Sequence, residues 1–150
     1  MEVNTTNLSL LQLIRTFETW ADKHAQINAF GQGFEDELLS NTVLEYPLLW
    51  ISVLPSVIQE KTIQYNFRVI VMDLVDTDKR NSLDVLSDSL QIIWDLIMSL
   101  SDQYNLDIVI NGNATPFEEY KDDRLSGHYI DIGVTVPYVL GACDVPLTKC

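Results

Sequence analysis

Carboxylates are the most suggestive side chains for chemistry in this 150-residue chain, and Asp73, Asp76 and Asp78 are closely spaced. A calcium-binding loop needs alternating oxygen ligands, a glycine at its sixth position and a glutamate at its twelfth. Counted from Asp76, those positions hold Asn81 and Ser87. The calcium template fails, and the spacing favours a solvated loop before a helix.

The densest acidic cluster consists of Glu118, Glu119, Asp122 and Asp123. Paired carboxylates perform acid–base chemistry when burial separates their pKa values. These four flank a polar segment that is typical of an exposed turn, so the pattern favours a solvated hairpin. A functional role for the cluster would be electrostatic, because such a patch repels DNA or attracts a basic partner.

The two histidines, His24 and His128, belong to no recognisable catalytic motif. The chain has neither a Gly-x-Ser-x-Gly elbow nor a phosphate-binding Gly-Lys-Ser/Thr loop, and Gly31-Gln32-Gly33 lacks the third glycine of a dinucleotide fingerprint. We predict structural histidines, no catalytic, cofactor-binding or metal site, and no enzymatic activity. The open alternative is a small enzyme with one of these histidines beside a carboxylate in a deep pocket.

Composition limits the possible partners of the chain. Acidic residues outnumber basic ones 22 to 9, for a formal net charge of −13, so we expect no basic surface for phosphate or anionic lipid. Apolar residues make up 47%, enough for a globular core. We expect one domain over residues 1–150, with its core in about 8–137 and a C-terminal arm in about 138–150.

Neither secretion nor membrane insertion is expected. The first six residues lack the pattern of a signal peptide, and the apolar stretch 46–58 is short and interrupted by Pro47 and Pro55. Cys143 and Cys150 are close enough in sequence to bridge, but we favour free thiols in a reducing compartment.

Two amphipathic helices are predicted from apolar spacings of three and four. The first covers residues 7–27, capped by Thr6 or Asn7 and ended by Gly31 and Gly33. The second covers residues 82–102, with Asn81 and Asp84 as a capping pair. Its predicted core stripe is Leu83, Leu86, Leu90, Ile93, Ile97 and Leu100. The further apolar residues Ile92, Trp94 and Leu96 exceed what one sheet contact requires, which hints at a second buried contact.

Strands are predicted at residues 47–54, 63–75, 106–110 and 129–136, with 115–120 extended. Pro55 should end or bulge the first strand, and Gln59-Glu60-Lys61 should form a hairpin tip. A turn at Asn111-Gly112-Asn113 and a polar tip at 121–127 separate the later segments. The predicted fold is α+β in the order α-β-β-α-β-β, with both helices on one face of a mainly antiparallel sheet.

Aromatic residues fall into two groups. Trp20, Trp50 and Trp94 lie one in each predicted core element, so we assign them to the core. Phe30, Phe34 and Tyr46 fit a core less well and are candidate anchors for a partner, because aromatic residues are enriched at interface centres.

Four segments carry a resemblance to a known group of proteins. They are INAFGQGFE (27–35), YPLLW (46–50), NFRVIVMDLVD (66–76) and LDVLSDSLQIIWD (83–95). Together with the element order, they resemble the neck proteins of tailed bacteriophages, most closely structural ring proteins of crAss-like phages that infect Bacteroidetes. The arrangement is also similar to tail-terminator proteins, and the resemblance covers about residues 8–136.

The resemblance implies a head–tail connector or tail terminator, a homo-oligomeric ring of six or twelve subunits between the portal and the tail. Such a subunit belongs to the virion, assembles in the host cytoplasm, binds neighbouring portal, neck or tail proteins, and lets DNA pass without sequence-specific binding. It has no reaction, no cofactor and no membrane contact.

Within such a ring we expect two kinds of surface. The expected subunit interface comprises Phe30, Phe34, Tyr65, Phe67, Ile92 and Leu96. The acidic residues Glu118, Glu119, Asp122 and Asp123 are expected to face the channel or the next ring. The alternative is an acidic adaptor or DNA-mimic inhibitor that binds a basic protein.

Overall fold

The computed structural model describes residues 6–34, 37, 45–76, 80–120 and 125–139, with the backbone alone for Glu119 and Tyr120. Within these residues the chain forms two helices and a six-stranded mixed sheet, which confirms the predicted α+β class. The elements in chain order are α1 (Leu10–Lys23), β1 (Ala29–Gln32), β2 (Leu48–Ile58), β3 (Thr62–Leu74), α2 (Ser82–Asp102), β4 (Asp107–Ile110), β5 (Thr115–Tyr120) and β6 (Leu125–Pro137).

The sheet has the strand order β1-β2-β3-β6-β4. Strand β5 pairs with the same edge of β6 as β4 does, but at residues 125–129 instead of 132–135. Strands β3 and β6 pair along their whole lengths, from Thr62 opposite Pro137 to Leu74 opposite Leu125. The β1–β2 pair is parallel and the other pairs are antiparallel. Among the described strands, β1 therefore forms one edge of the sheet, and β4 with β5 forms the other.

The observed order has two more strands than the predicted α-β-β-α-β-β: β5, whose residues 115–120 are predicted only as extended, and β1, which makes the sheet mixed. The four residues of β1 are too few to display an alternating pattern, and their strand conformation depends on pairing with β2. The prediction that Gly31 and Gly33 end the first helix is wrong, because Gly31 lies inside β1.

Both helices pack on one face of the sheet, as predicted. Strand β3 shows the predicted alternation, with Tyr65, Phe67, Val69 and Val71 buried against the helices. Its other face is half-buried at Gln64, buried at Ile70 and Met72, and exposed at Leu74. A second buried cluster lies on this opposite face. Its members are Leu48, Trp50, Ile70, Met72 and Leu125.

Arg68 and Asp131 lie beyond the second cluster on that opposite face. The Arg68 guanidinium donates from Nε to Asp131 Oδ1 at 2.8 Å and from Nη2 to Oδ2 at 3.2 Å. The same guanidinium stacks over Tyr129, 5.1 Å from the ring centre. These contacts join β3 to β6 across the part of this face that is polar.

Helix α1 is shorter than residues 7–27. Ser9 is the N-cap and forms a capping box with Gln12, because each side chain accepts from the other residue's backbone N–H. The predicted caps Thr6 and Asn7 are wrong. Asn7 instead pairs with Val139 through its side chain and donates its backbone N–H to the carbonyl of Pro137. The helix ends at His24, whose backbone N–H donates to the last turn.

Helix α2 has the predicted bounds, but its N-terminus is built differently. Asn81 makes no side-chain cap hydrogen bond with the helix, because its Oδ1 accepts from the backbone N–H of Asp76. The capping pair of Asn81 with Asp84 is therefore wrong. Among the predicted core residues Ile93 and Leu100 are buried, and the remaining four lie toward one side of the helix.

The β2–β3 hairpin follows its prediction closely. Strand β2 continues through Pro55 by a bulge between Leu54 and Val57, so Pro55 bulges the strand instead of ending it. Gln59 donates its backbone N–H to the carbonyl of Thr62 and closes the tip.

The C-terminal strands differ from their prediction in two places. Asn111-Gly112-Asn113 does not reverse the chain, because β4 and β5 both pair with β6 in the same direction. The predicted polar tip also extends too far, since Leu125, Ser126 and Gly127 are buried in β6. Residues 121–124, and the arm beyond Val139, lie outside the described residues.

Candidate interaction surface on the second helix

Helix α2 has three faces, which follow from 100° of rotation per residue. The buried face points to the sheet and contains Val85, Ser89, Ile92, Ile93, Leu96 and Leu100. A second face carries the carboxylates Asp84, Asp88, Asp95 and Asp102. The third is apolar and exposed to solvent: Leu83 is 76% exposed, Leu90 46%, Trp94 65% and Met98 43%. Assigning Leu83, Leu90 and Trp94 to the core was therefore wrong.

The orientation of this apolar face follows from the contacts of the other two. Asp95 lies about 120° around the helix axis from Leu83. Asp95 Oδ2 is 3.1 Å from His24 Nε2 at the end of α1, so the acidic face turns toward α1. Since α2 packs on β3, β6 and β4, the apolar face turns away from α1, toward the β4–β5 edge.

Strand β4 extends the apolar face. Ile110 pairs with Ile132, which is buried on the helix side of the sheet, so Ile110 lies on the side where α2 packs. It is 54% exposed. We call Leu83, Leu90, Trp94, Met98 and Ile110 the α2 flank. Their exposed fractions correspond to roughly 550 Å² of surface, which is near the upper end for the largest apolar patch on a monomer.

The α2 flank is free of charge. Between Leu83 and Met98, every charged residue of α2 lies on the acidic face, and the neutral Leu86, Ser87 and Ile97 adjoin the flank. This side of α2 therefore carries no carboxylate of its own from Leu83 to Met98, while Glu118 of β5 lies at its start, hydrogen-bonded to Ser82. Electrostatic repulsion from another acidic protein is weakest at such a surface.

The opposite edge of the sheet presents one exposed aromatic ring. Phe34 follows β1 and is 63% exposed. The residue before it, Gly33, donates its backbone N–H to the carbonyl of Ile51 at 3.1 Å and accepts from Trp50 Nε1 at 3.3 Å. Gly33 has a φ of +138°, a value that favours glycine. The Phe34 carbonyl in turn accepts from the backbone N–H of Glu37.

The predicted interface residues divide into exposed and buried ones. Phe34 is at the surface, and Phe30 is half-buried against the main core. Tyr65 and Phe67 on β3, with Ile92 and Leu96 on α2, are buried within the chain. Placing these four at a subunit interface is wrong, because their side chains already pack in the monomer core. Tyr65 also connects the residues just before α1 with those just after β6, since its hydroxyl hydrogen-bonds Tyr138 and donates to the Leu8 carbonyl.

Sequence reasoning missed the α2 flank as a surface, although it noted a surplus of apolar residues on the helix. That surplus was the available signal. It was assigned to Ile92, Trp94 and Leu96, and among these three Trp94 alone is exposed.

The predicted acidic cluster is described in part. Glu118 is exposed, and its Oε1 accepts from the Ser82 hydroxyl at the start of α2 at 3.0 Å. The side chain of Glu119, and Asp122 and Asp123 altogether, lie outside the described residues. Of the three carboxylates that fail the calcium template, Asp78 lies outside the described residues, Asp73 is half-buried in β3 and Asp76 is exposed.

The histidines make structural contacts. His24 accepts from the backbone N–H of Gln26 through Nδ1, so Nε2 carries the proton that faces Asp95. His128 Nδ1 lies 2.9 Å from Ser89 Oγ. The Ser89 hydroxyl also lies 3.0 Å from the Leu86 carbonyl, and the tautomer that satisfies both contacts has Nδ1 donating to Oγ, opposite to a nucleophile–base pair.

A small cleft lies beside this buried pair. Ser89, Asp73 and Asp88 are among its lining residues, and its volume of about 30 Å³ is enough for one or two waters. Burial lowers the pKa of His128 below its ordinary value. Burial, and to a lesser degree the charge of Asp88, raises the pKa of Asp73, against a lowering hydrogen bond from the Leu74 backbone.

Two further features are absent from the described residues, a metal-binding cluster and a helix that could span a membrane. Within them, no three His, Cys, Asp or Glu residues are grouped in a way that could hold a metal ion. Neither α1 nor α2 is long and apolar enough to cross a lipid bilayer.

Comparison of the chain with protein-family models and with curated protein sequences finds no match.

Proposed function

We propose that this chain is a structural subunit of a homo-oligomeric ring in the neck of a tailed bacteriophage, as a head–tail connector or tail terminator. The ring contains six or twelve copies, joins the portal to the tail, and becomes part of the virion after assembly in the host cytoplasm. The α2 flank is the observation that carries the proposal. Together with the sequence resemblance described above, it favours a protein that acts through a subunit contact.

The physical argument starts from solvation. Exposed apolar surface on this scale is unfavourable in water, at about 25 cal/mol per Å², unless a partner covers it. Burying the flank would supply most of one side of a standard interface, which is about 800 Å² per partner. In this assembly the acidic surface, including Glu118, faces the channel or the next ring, and in the channel like charge repels the DNA backbone and lets it pass without binding.

Light scattering across protein concentration and salt tests the proposal. We expect a closed species near six or twelve times 17.1 kDa, alone or with a portal-containing assembly. Because the subunits are acidic, added salt should strengthen their association by screening repulsion over about 8–10 Å. A strict monomer under both conditions would refute the ring.

The acidic face of α2 favours a second candidate, an adaptor or DNA mimic that binds a basic protein. Asp84, Asp88 and Asp102 line this face and are exposed. The salt dependence separates the two functions, because binding to a basic partner weakens as salt rises. This candidate requires a chain that stays monomeric on its own.

A further inference from the structure

We propose that subunits associate head to tail, with the Phe34 ring of one copy packed on the α2 flank of the next. This inference rests on the proposed homo-oligomer and names the two surfaces that meet. It commits to a second copy of this chain as the occupant of the flank.

The first argument comes from the topology of the sheet. Strands β1 and β4 form opposite edges, and Phe34 follows β1 while the flank lies beside β4. A cyclic contact requires two different and complementary patches on each subunit. Patches on opposite edges of one sheet meet this requirement, because each copy then presents a free patch to the next.

The second argument is the way Phe34 is presented. Two hydrogen bonds hold the preceding residue, Gly33, against β2, and the Phe34 carbonyl accepts from Glu37. An exposed aromatic ring on a fixed backbone loses little conformational freedom on binding, so it makes an effective anchor. The receiving side supplies Trp94, and a pair of aromatic rings gains further stabilisation beyond its buried area.

The third argument concerns charge. Two copies, each at −13, approach most easily where at least one side of the contact carries few carboxylates. The Phe34 side carries some, because the carboxylate of Glu37 lies beside Gly33, so the flank must be the neutral side. Between Leu90 and Met98 this side of α2 has none, and Asp95 is turned toward His24. Carboxylates lie only at its two ends on the described residues, Glu118 beside Ser82 and Asp102 one turn beyond Met98. A basic partner would instead be expected to contact the acidic face, so the neutral flank favours another copy.

Cysteine cross-linking of the full chain tests the contact. In a background with Cys143→Ser and Cys150→Ser, Phe34→Cys and Trp94→Cys are made in separate chains with different tags. The matched control is Leu11→Cys, an exposed apolar position on α1. All three positions are at the surface, so folding should be retained and is checked by circular dichroism.

We expect the mixture of Phe34→Cys and Trp94→Cys chains to cross-link at least tenfold more than either chain alone or either chain with the control. A chain carrying both substitutions should give a ladder that ends at the ring number. Equal self-cross-linking of Trp94→Cys would overturn the head-to-tail contact in favour of a symmetric one. Multimers in light scattering without the mixed cross-link would overturn the contact but leave the ring, whereas monomers without cross-links, both alone and with a portal-containing assembly, would overturn both.

Discussion

Replacing Trp94 by alanine separates subunit association from chain folding. A tryptophan side chain buries about 150–250 Å² when fully covered. Trp94 is 65% exposed in the single chain, so most of this area is available to a neighbour. The Trp94→Ala substitution should therefore weaken association while leaving the fold almost unchanged.

The exposed fraction sets the size of the effect. A neighbour can cover roughly 130 Å² of the ring, and at about 25 cal/mol per Å² this amounts to roughly 3 kcal/mol for each contact. The dissociation constant should rise about a hundredfold. The free energy of unfolding should change by less than about 0.5 kcal/mol, as for other surface substitutions.

Trp20→Ala is the matched control, because it removes the same side chain from a site where the side chain is 6% exposed. It should lower the free energy of unfolding by about 3–5 kcal/mol. Urea unfolding at low protein concentration measures the free energy of unfolding, and light scattering over a dilution series measures the dissociation constant. The reasoning is refuted if Trp94→Ala destabilises the chain as much as Trp20→Ala does, or leaves association unchanged.

Three further predictions concern stability. Gly127→Ala should destabilise the chain by about 3 kcal/mol in urea unfolding, because the new Cβ would overlap the Val71 carbonyl oxygen. In Gly133→Ala the new Cβ meets movable side-chain ends at 2.6 and 2.8 Å, so the loss of stability should stay within about 1 kcal/mol, and equal effects would contradict this packing. Because burial lowers the pKa of His128, the unfolded chain takes up the proton first, and stability should fall as the pH drops below about 6.5. His128→Gln should remove that part of the acid sensitivity, as measured by urea midpoints at pH 7 and 5. Because the pKa of Asp73 is raised in the folded chain, stability falls as the pH rises above the ordinary value of 3.8, and the loss is complete once the pH exceeds the raised pKa. Asp73→Asn should therefore raise the urea midpoint at pH 7 and give a smaller gain near pH 4; an unchanged difference would refute the assigned cause.

Several elements could be predicted from the chain because their patterns are local. The alternation in β3 assigned its two faces correctly, since side chains in a strand point alternately to opposite sides. The bounds of α2 also agree with its apolar spacing. Strand β1 could not be predicted in this way, because its four residues become a strand only by pairing with β2.

The candidate surface shows where local patterns are insufficient. Apolar residues occupy so much of the circumference of α2 that the sequence alone determined an apolar helix but not which side faces the sheet. Contacts distant in sequence decided it: Asp95 meets His24 of α1, and Ile92 and Leu96 pack in the core. This rotation leaves Trp94 at the surface, because one helix can bury only the side that its neighbours cover.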